Sequence, residues 1–174
     1  MGVSIPVLQI VGYQNSGKTT LVTKIVKRLS QSGIKVATLK HHGHGGVPKN
    51  SDEGKDSAKH RDAGAIVTGV EGEGVLQLFA MNSSGWTLHN MLSLYERLPI
   101  DLAIVEGFKK AEFPKIVLLR SREDEQLLSQ LDHIVLAICW YKPDTLLHKV
   151  PTFFINDDEQ YLTWIGSYLK GRFN

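Results

Sequence analysis

Eight residues near the start of the chain constrain the fold more than anything that follows them. Gly12-Tyr13-Gln14-Asn15-Ser16-Gly17-Lys18-Thr19 satisfies G-x-x-x-x-G-K-[ST], a pattern that has physical meaning only between a strand and a helix. Both neighbours are present. Residues 5–11 are a short β-rich run. From Lys18 the spacing turns helical, with Leu21, Val22, Ile25, Val26 and Leu29 on one face and Lys24, Lys27 and Arg28 opposite. Gly33 supplies a stop, and residues 35–40 read as a second strand. Such a β-loop-α-β unit predicts a right-handed crossover, with its two strands paired in parallel.

The loop's chemistry follows from its residue types. Glycines let the backbone curl until successive N–H groups converge on phosphate oxygens. The helix N-terminus adds roughly half a positive charge at the same point. Gly12, Asn15, Ser16, Gly17, Lys18 and Thr19 are therefore the expected phosphate-facing residues. Lys18 neutralises the β- and γ-phosphates, and the Thr19 hydroxyl ligates Mg²⁺. A carboxylate is then needed at the end of a neighbouring buried strand. Asp101-Leu102-Ala103-Ile104-Val105-Glu106-Gly107 offers Glu106 at its carboxyl end, where ligands of open α/β sheets bind, and Asp101 at the wrong end. Glu106 is the candidate catalytic and metal carboxylate, holding a magnesium-bound water or orienting an attacking one.

The rest of the chain keeps the strand–helix alternation. Residues 65–70 and 75–81 predict a β-hairpin around Glu71-Gly72-Glu73-Gly74. Thr87 caps a helix carrying Leu88, Met91, Leu92 and Tyr95, which stops before Pro99. Further strands are expected at 102–105, 115–119, 133–139 and 152–155, with a short helix at 123–130. A closing amphipathic helix from Asp157 buries Tyr161, Ile165 and Tyr168. The whole, residues 1–174, reads as a single α/β nucleotide-binding domain. Its expected architecture is a P-loop NTPase-type three-layer fold, a mainly parallel sheet with helices on both faces, plus a β-hairpin.

Composition narrows the function classes. Twenty Lys+Arg against eighteen Asp+Glu leaves +2, too even a balance to point to nucleic acid or an anionic membrane. One cysteine excludes an internal disulfide framework and a Cys-rich zinc site, and it suits a reducing compartment. No apolar run approaches the roughly 18 residues of a bilayer span, and the start lacks the basic region of a signal peptide. These features predict a cytoplasmic protein.

Residues 41–62 form a polar loop with only Val47 and Ala58 as aliphatic residues, a length that implies function or disorder. It concentrates His41, His42, His44, Lys55, Asp56, Ser57, His60 and Arg61. Asp56 is placed to reach the magnesium, and Lys40 or Arg61 to meet phosphate charge. A zinc site here would need His42, His44 and a distant histidine such as His60. Tyr141-Lys142-Pro143-Asp144 carries Tyr where a guanine-reading turn has Asn, and reads better as a Pro-Asp helix start. Cys139 ends an apolar run and is expected in the core.

The phosphate loop, Leu39-Lys40-His41, Lys55-Asp56-Ser57, Arg61, Ala63-Gly64-Ala65, Val105-Glu106-Gly107-Phe108-Lys109 and Pro114-Lys115-Ile116-Val117 together resemble the molybdopterin-guanine dinucleotide biosynthesis protein B (MobB) family. The resemblance implies a homodimeric GTP-binding adaptor with weak GTPase activity. Its partner would be the molybdopterin guanylyltransferase, which joins GMP to molybdopterin. It also implies that Gly12, Gly17, Lys18, Thr19 and Thr20 contact phosphate or magnesium, with Asp56 and Glu106 around the metal. The Glu at 106, where many P-loop enzymes carry Asp, suits the family. The 41–62 loop is then expected to face the pterin or the partner, with Lys40, His42 and Arg61 meeting a pterin phosphate. Two other classes use the same phosphate loop: a GTP-dependent metallochaperone exploiting His41, His42 and His44, and a small-molecule kinase with Arg120-Ser121-Arg122-Glu123-Asp124 as its lid.

Overall fold

The computed structural model describes residues 3–43, 46, 54–143, 146–147 and 149–172. They form two compact units, one of residues up to Gly43 and from Leu88 onward, the other of the residues between.

The first unit is built on a seven-stranded sheet of order β2-β5-β1-β6-β7-β9-β8. Its strands are β1 (Val7–Gly12), β2 (Val36–Lys40), β5 (Leu102–Glu106), β6 (Lys115–Leu119), β7 (Ile134–Cys139), β8 (Leu146–Leu147) and β9 (Val150–Phe154). All neighbours pair in parallel except β8, which runs antiparallel to β9. The expected direct pairing of the first two strands is corrected: β5 lies between β1 and β2 and pairs with both. The β1–β2 crossover therefore leaves a gap one strand wide, and a strand buried throughout its length fills it. The stretch after β7 is also corrected. The described residues beyond Pro143 continue as β8 rather than as a helix, and Asp144 lies outside the described residues.

Helices cover both faces. On one, α1 (Lys18–Ser30) and α5 (Asp158–Lys170) bury Leu21, Ile25, Tyr161 and Ile165 against Leu8, Ile10, Ile104, Ile116 and Leu136. Lys27 and Arg28 in the last turn of α1, and Asp158 and Glu159 in the first turn of α5, suit the helix dipoles. Lys24 Nζ meets Asp158 Oδ2 at 2.5 Å, and Tyr161 donates to Asp158 Oδ1 at 2.7 Å, which joins the two helices. Tyr168 is half-buried and stacks on Trp164 at 5.3 Å, while Leu162 and Leu169 take the buried places. On the opposite face, α3 (Leu88–Tyr95) packs Leu88 and Leu92 on Val7, Ala103 and Val105. The predicted short helix is a 3₁₀ turn, Arg122–Gln126, running into α4 (Leu127–Gln130) over Val117, Leu119 and Cys139.

The second unit holds α2 (Asp56–Asp62) and the hairpin of β3 (Val67–Gly72) and β4 (Val75–Ala80). Helix α2 corrects the reading of 41–62 as loop throughout. Asp56 in its first turn and Lys59, His60 and Arg61 in its last suit the dipole, but seven residues with one aliphatic side chain show no apolar period. Val67, Val70, Val75, Leu76 and Leu78 of the hairpin are exposed. Among the described residues no helix is long and apolar enough to cross a membrane.

Leu8 is fully buried at the centre of the sheet. Leu8→Ala is expected to cost about 2–5 kcal/mol in urea denaturation, whereas Thr163→Ala on the exposed side of α5 should stay within about 0.5 kcal/mol.

Candidate functional site

The strand β1 ends at Gly12 with φ +152°, a conformation that opens the turn into the loop. A Cβ there would lie 2.7 Å from Ser16 Oγ and 2.8 Å from the Leu118 carbonyl oxygen, so only glycine lets the loop fold this tightly against β6. Asn15 is left-handed at φ 57°, and Leu21 N donates to Gly17 O at 2.9 Å as α1 begins. Lys18 Nζ donates back to Tyr13 O at 2.7 Å and so spans the loop. Thr20 is exposed beside it in the first turn of α1.

Two side chains brace the loop from the far side. Trp140 Nε1 donates to Ser16 O at 3.0 Å. Arg120 Nη1 donates to Gln14 O at 3.1 Å, while its Nε meets Asp124 Oδ2 at 3.2 Å. Lys109 Nζ lies 5.2 Å and Arg120 Cζ 5.9 Å from the centre of the Tyr13 ring. Ser16 Oγ is buried with no partner among the described residues.

Glu106 closes β5 on the same edge. Thr19 Oγ1 donates to its carboxylate, at 3.0 Å from Oε1 and 2.9 Å from Oε2. Lys40, the last residue of β2 and the register partner of Glu106, places Nζ 3.2 Å from Oε1 and 3.2 Å from Thr19 Oγ1. Partial burial holds the Lys18 ammonium's pKa below the usual lysine range; Glu106 opposes that shift, and Lys40, Arg120 and Lys109 add to it. The loop is thus ringed by cations.

These residues fit a magnesium ion. Mg²⁺ takes oxygen donors in an octahedron, and adjacent ligands with ~2.1 Å bonds stand about 3 Å apart. The Thr19 hydroxyl and Glu106 carboxylate are oxygen donors at that separation. They would hold the ion, which would supply charge neutralisation at the phosphates.

Beyond Glu106 the chain turns sharply, with Gly107 at φ 97° and Phe108 at φ 51°. A Cβ on Gly107 would press to 3.0 Å from His41 Cβ. The turn is held from beneath by Gln9, a fully buried amide in β1 whose Nε2 donates to Gly107 O at 3.0 Å and Phe108 O at 2.9 Å. Its register neighbour Lys115, also buried, donates to Phe113 O at 2.9 Å and to Ala111 O.

A family model described as molybdopterin guanine dinucleotide synthesis protein B, MobB, matches residues 7–140. The chain belongs to the MobB family. It is 42% identical over 167 residues to a Bacillus subtilis (strain 168) protein named "Probable molybdopterin-guanine dinucleotide biosynthesis adapter protein", covering 95% of this chain and 94% of that one. The crystal structure of Bacillus subtilis MobB superposes with a TM-score of 0.80 at 41% identity, covering 94% of this chain and 97% of that one. A MobB homologue from Bacillus stearothermophilus gives 0.77 at 37% identity, covering 95% and 98%. The solved MobB structures bear out the α/β P-loop fold.

In this MobB chain, the first unit brings together the phosphate loop, Lys18, Thr19, Lys40 and Glu106. Asp56 and Arg61 belong to the second unit and bond within it. Asp56 Oδ1 accepts from Lys59 Nζ at 2.9 Å; Arg61 Nη1 donates to Ser57 O and Thr68 Oγ1 at 3.3 Å each, with its Cζ 4.5 Å from the Phe79 ring. His42 is exposed just past β2, and His44 lies outside the described residues. Among the described residues no three His, Cys, Asp or Glu side chains gather as a metal set. The proposed kinase lid is folded as the 3₁₀ turn and tied to the loop through Arg120. Sequence reading missed Gln9, Lys115, Trp140 and the bracing role of Arg120. A polar residue inside an apolar strand run was the available signal for the first two.

Burial pushes the Asp124 carboxyl up, but hydrogen bonds from the Arg120 side chain and backbone and its charge outweigh this, so the pKa is lowered. Such a group stabilises the fold above its unfolded value of about 3.9, and the contribution is lost as pH falls through the folded value. Asp124→Asn should therefore melt below the parent at pH 7, with the gap closing on acidification below about pH 4; a gap independent of pH would detach Arg120 and Asp124 from loop stability.

Proposed function

We propose that this protein binds GTP with Mg²⁺ and acts as an adapter in molybdopterin-guanine dinucleotide synthesis, beside the guanylyltransferase. One observation carries the nucleotide reading: the tight glycine turn at Gly12 leads into α1 where the Thr19 hydroxyl meets the Glu106 carboxylate of β5, on the sheet's carboxyl edge. The names of its relatives carry the pathway. Molybdopterin and the guanylyltransferase are the partners, the protein works in the cytoplasm, and it does so as a homodimer. The exposed Val67, Leu76 and Leu78, which share one face of the hairpin, support a subunit contact, since apolar patches of this kind mark association surfaces.

The adapter role agrees with a poor hydrolytic apparatus. Arg120, the guanidinium beside the loop, is already engaged by Asp124 and Gln14 O. A γ-phosphate arginine or a water-orienting glutamine supplies roughly 10³–10⁵ in rate where present. The protein alone is therefore expected to turn over GTP well below about 1 s⁻¹; faster release of phosphate would mean that a second catalytic group stands beside the γ-phosphate.

Calorimetric titration with GTP and ATP, each with and without Mg²⁺, tests the binding reading. GTP should bind and Lys18→Ala should abolish binding while leaving the melting curve in place. ATP binding as tight as GTP would remove the guanine assignment, and undiminished binding by the folded variant would remove the phosphate-loop assignment.

A further inference from the structure

Lys40 occupies the position that the magnesium reading reserves for a metal. Its ammonium touches both donors of the candidate site, Glu106 Oε1 and Thr19 Oγ1, at 3.2 Å each. Those donors also touch one another. We propose that Lys40 is the resident cation of this site: it stands in for the divalent ion in the nucleotide-free protein and is displaced when metal enters with nucleotide. The inference rests on the nucleotide reading above and adds a role for Lys40 distinct from that of a plain phosphate contact.

The electrostatics require some cation there. The Glu106 side chain is only 11% exposed, and a carboxylate so withdrawn from water is costly unless paired. The Thr19 hydroxyl supplies one hydrogen bond but no charge. Lys40 supplies the charge, because the β2–β5 register sets it side by side with Glu106 at the strand ends. An ammonium and a divalent ion on the same two oxygens would repel strongly at such short range, so the two occupancies are alternatives.

Lys40 is also free to leave. Its side chain is 61% exposed, and a lysine carries its donors on a flexible four-carbon stem. It borders a cleft of about 450 Å³ lined by Thr19, Val22, Val26, Thr38 and Ile104, which gives the stem room to move aside. Displacement would shift one positive charge from the metal site toward open solvent or phosphate. The protein would then bind nucleotide in two charge regimes, one led by lysine and one by magnesium.

Lys40→Met keeps the stem and removes the charge. The expected result is a crossing effect: metal-free GTP affinity falls about tenfold more than magnesium-supported affinity, the loss of one charge-assisted contact. In parallel, nucleotide-free Lys40→Met should bind Mn²⁺, followed by electron paramagnetic resonance, at concentrations where the parent binds none. Lys40→Arg, which restores a cation, should return both readouts toward the parent, and melting curves confirm that each variant is folded. Equal losses with and without magnesium would make Lys40 an ordinary phosphate ligand, and unchanged affinities would make it plain surface; either overturns the proposal. Absence of GTP binding by the parent would refute the nucleotide reading instead. The Mn²⁺ comparison then decides on its own, and parent and variant binding Mn²⁺ alike would overturn the inference.

Discussion

Glu106 joins α1, β1 and β2 at one point, and the geometry of the carboxyl edge depends on that junction. Its carboxylate accepts from Thr19 on α1 and pairs with Lys40 on β2. Its carbonyl accepts from His41 N at 2.9 Å, and the next amide, Gly107 N, donates to Ile10 O of β1 at 3.0 Å. A withdrawn carboxylate needs partners from every side that excludes water. Of those partners, the Thr19 hydroxyl is an oxygen donor that a metal would also use, whereas the Lys40 ammonium stands where the metal would go. The loop's position, the metal donors and the cation standing on them are therefore one arrangement.

Behind that edge the protein spends polar burial on rigidity. Gln9 and Lys115 lie adjacent in register on the α3 and α4 side of the sheet, where aliphatic residues would pack well. Their donors instead hold carbonyls of Gly107, Phe108, Ala111 and Phe113. Bonded donors of this kind restrict the chain to one conformation, although Gln9 Oε1 is buried with no partner among the described residues. The segment after Glu106 is pinned from below, which keeps Lys109 beside Tyr13. Trp140 and Arg120 do the same for the phosphate loop. The loop is thereby held in place, and Arg120 is already engaged by Asp124 and Gln14 O.

The second unit is built on different terms. Its small hairpin exposes Val67, Leu76 and Leu78 on one face and Val70 and Val75 on the other, and Arg61 bonds to Ser57 and Thr68 and lies over Phe79 inside the unit. Arg61 thus has a structural occupation that its place in a basic, histidine-rich stretch did not suggest. Helix α2 was hidden for a related reason: seven residues held by dipole-matched charges rather than an apolar stripe leave no periodic signal.

The amino-acid sequence by itself determined the local chemistry. The strand–loop–helix context placed the glycine loop between β1 and α1, because the spacing of Gly12, Gly17, Lys18 and Thr19 is a requirement of backbone geometry within a few residues. The same holds for Glu106, placed at a strand end by the short apolar run before it, and for the apolar face of α1. Only the tertiary structure decided which strand lies beside which. Nothing in residues 5–40 tells that β5 inserts between β1 and β2, yet that insertion brings Lys40, Glu106 and Thr19 together from positions up to 87 residues apart. Gln9 and Lys115 stand out in the sequence as polar residues in apolar strands, but the carbonyls they hold are decided by the fold, which bends the chain after Glu106 back over them. Strand order is a property of packing between elements, and the pattern within an element carries no record of it.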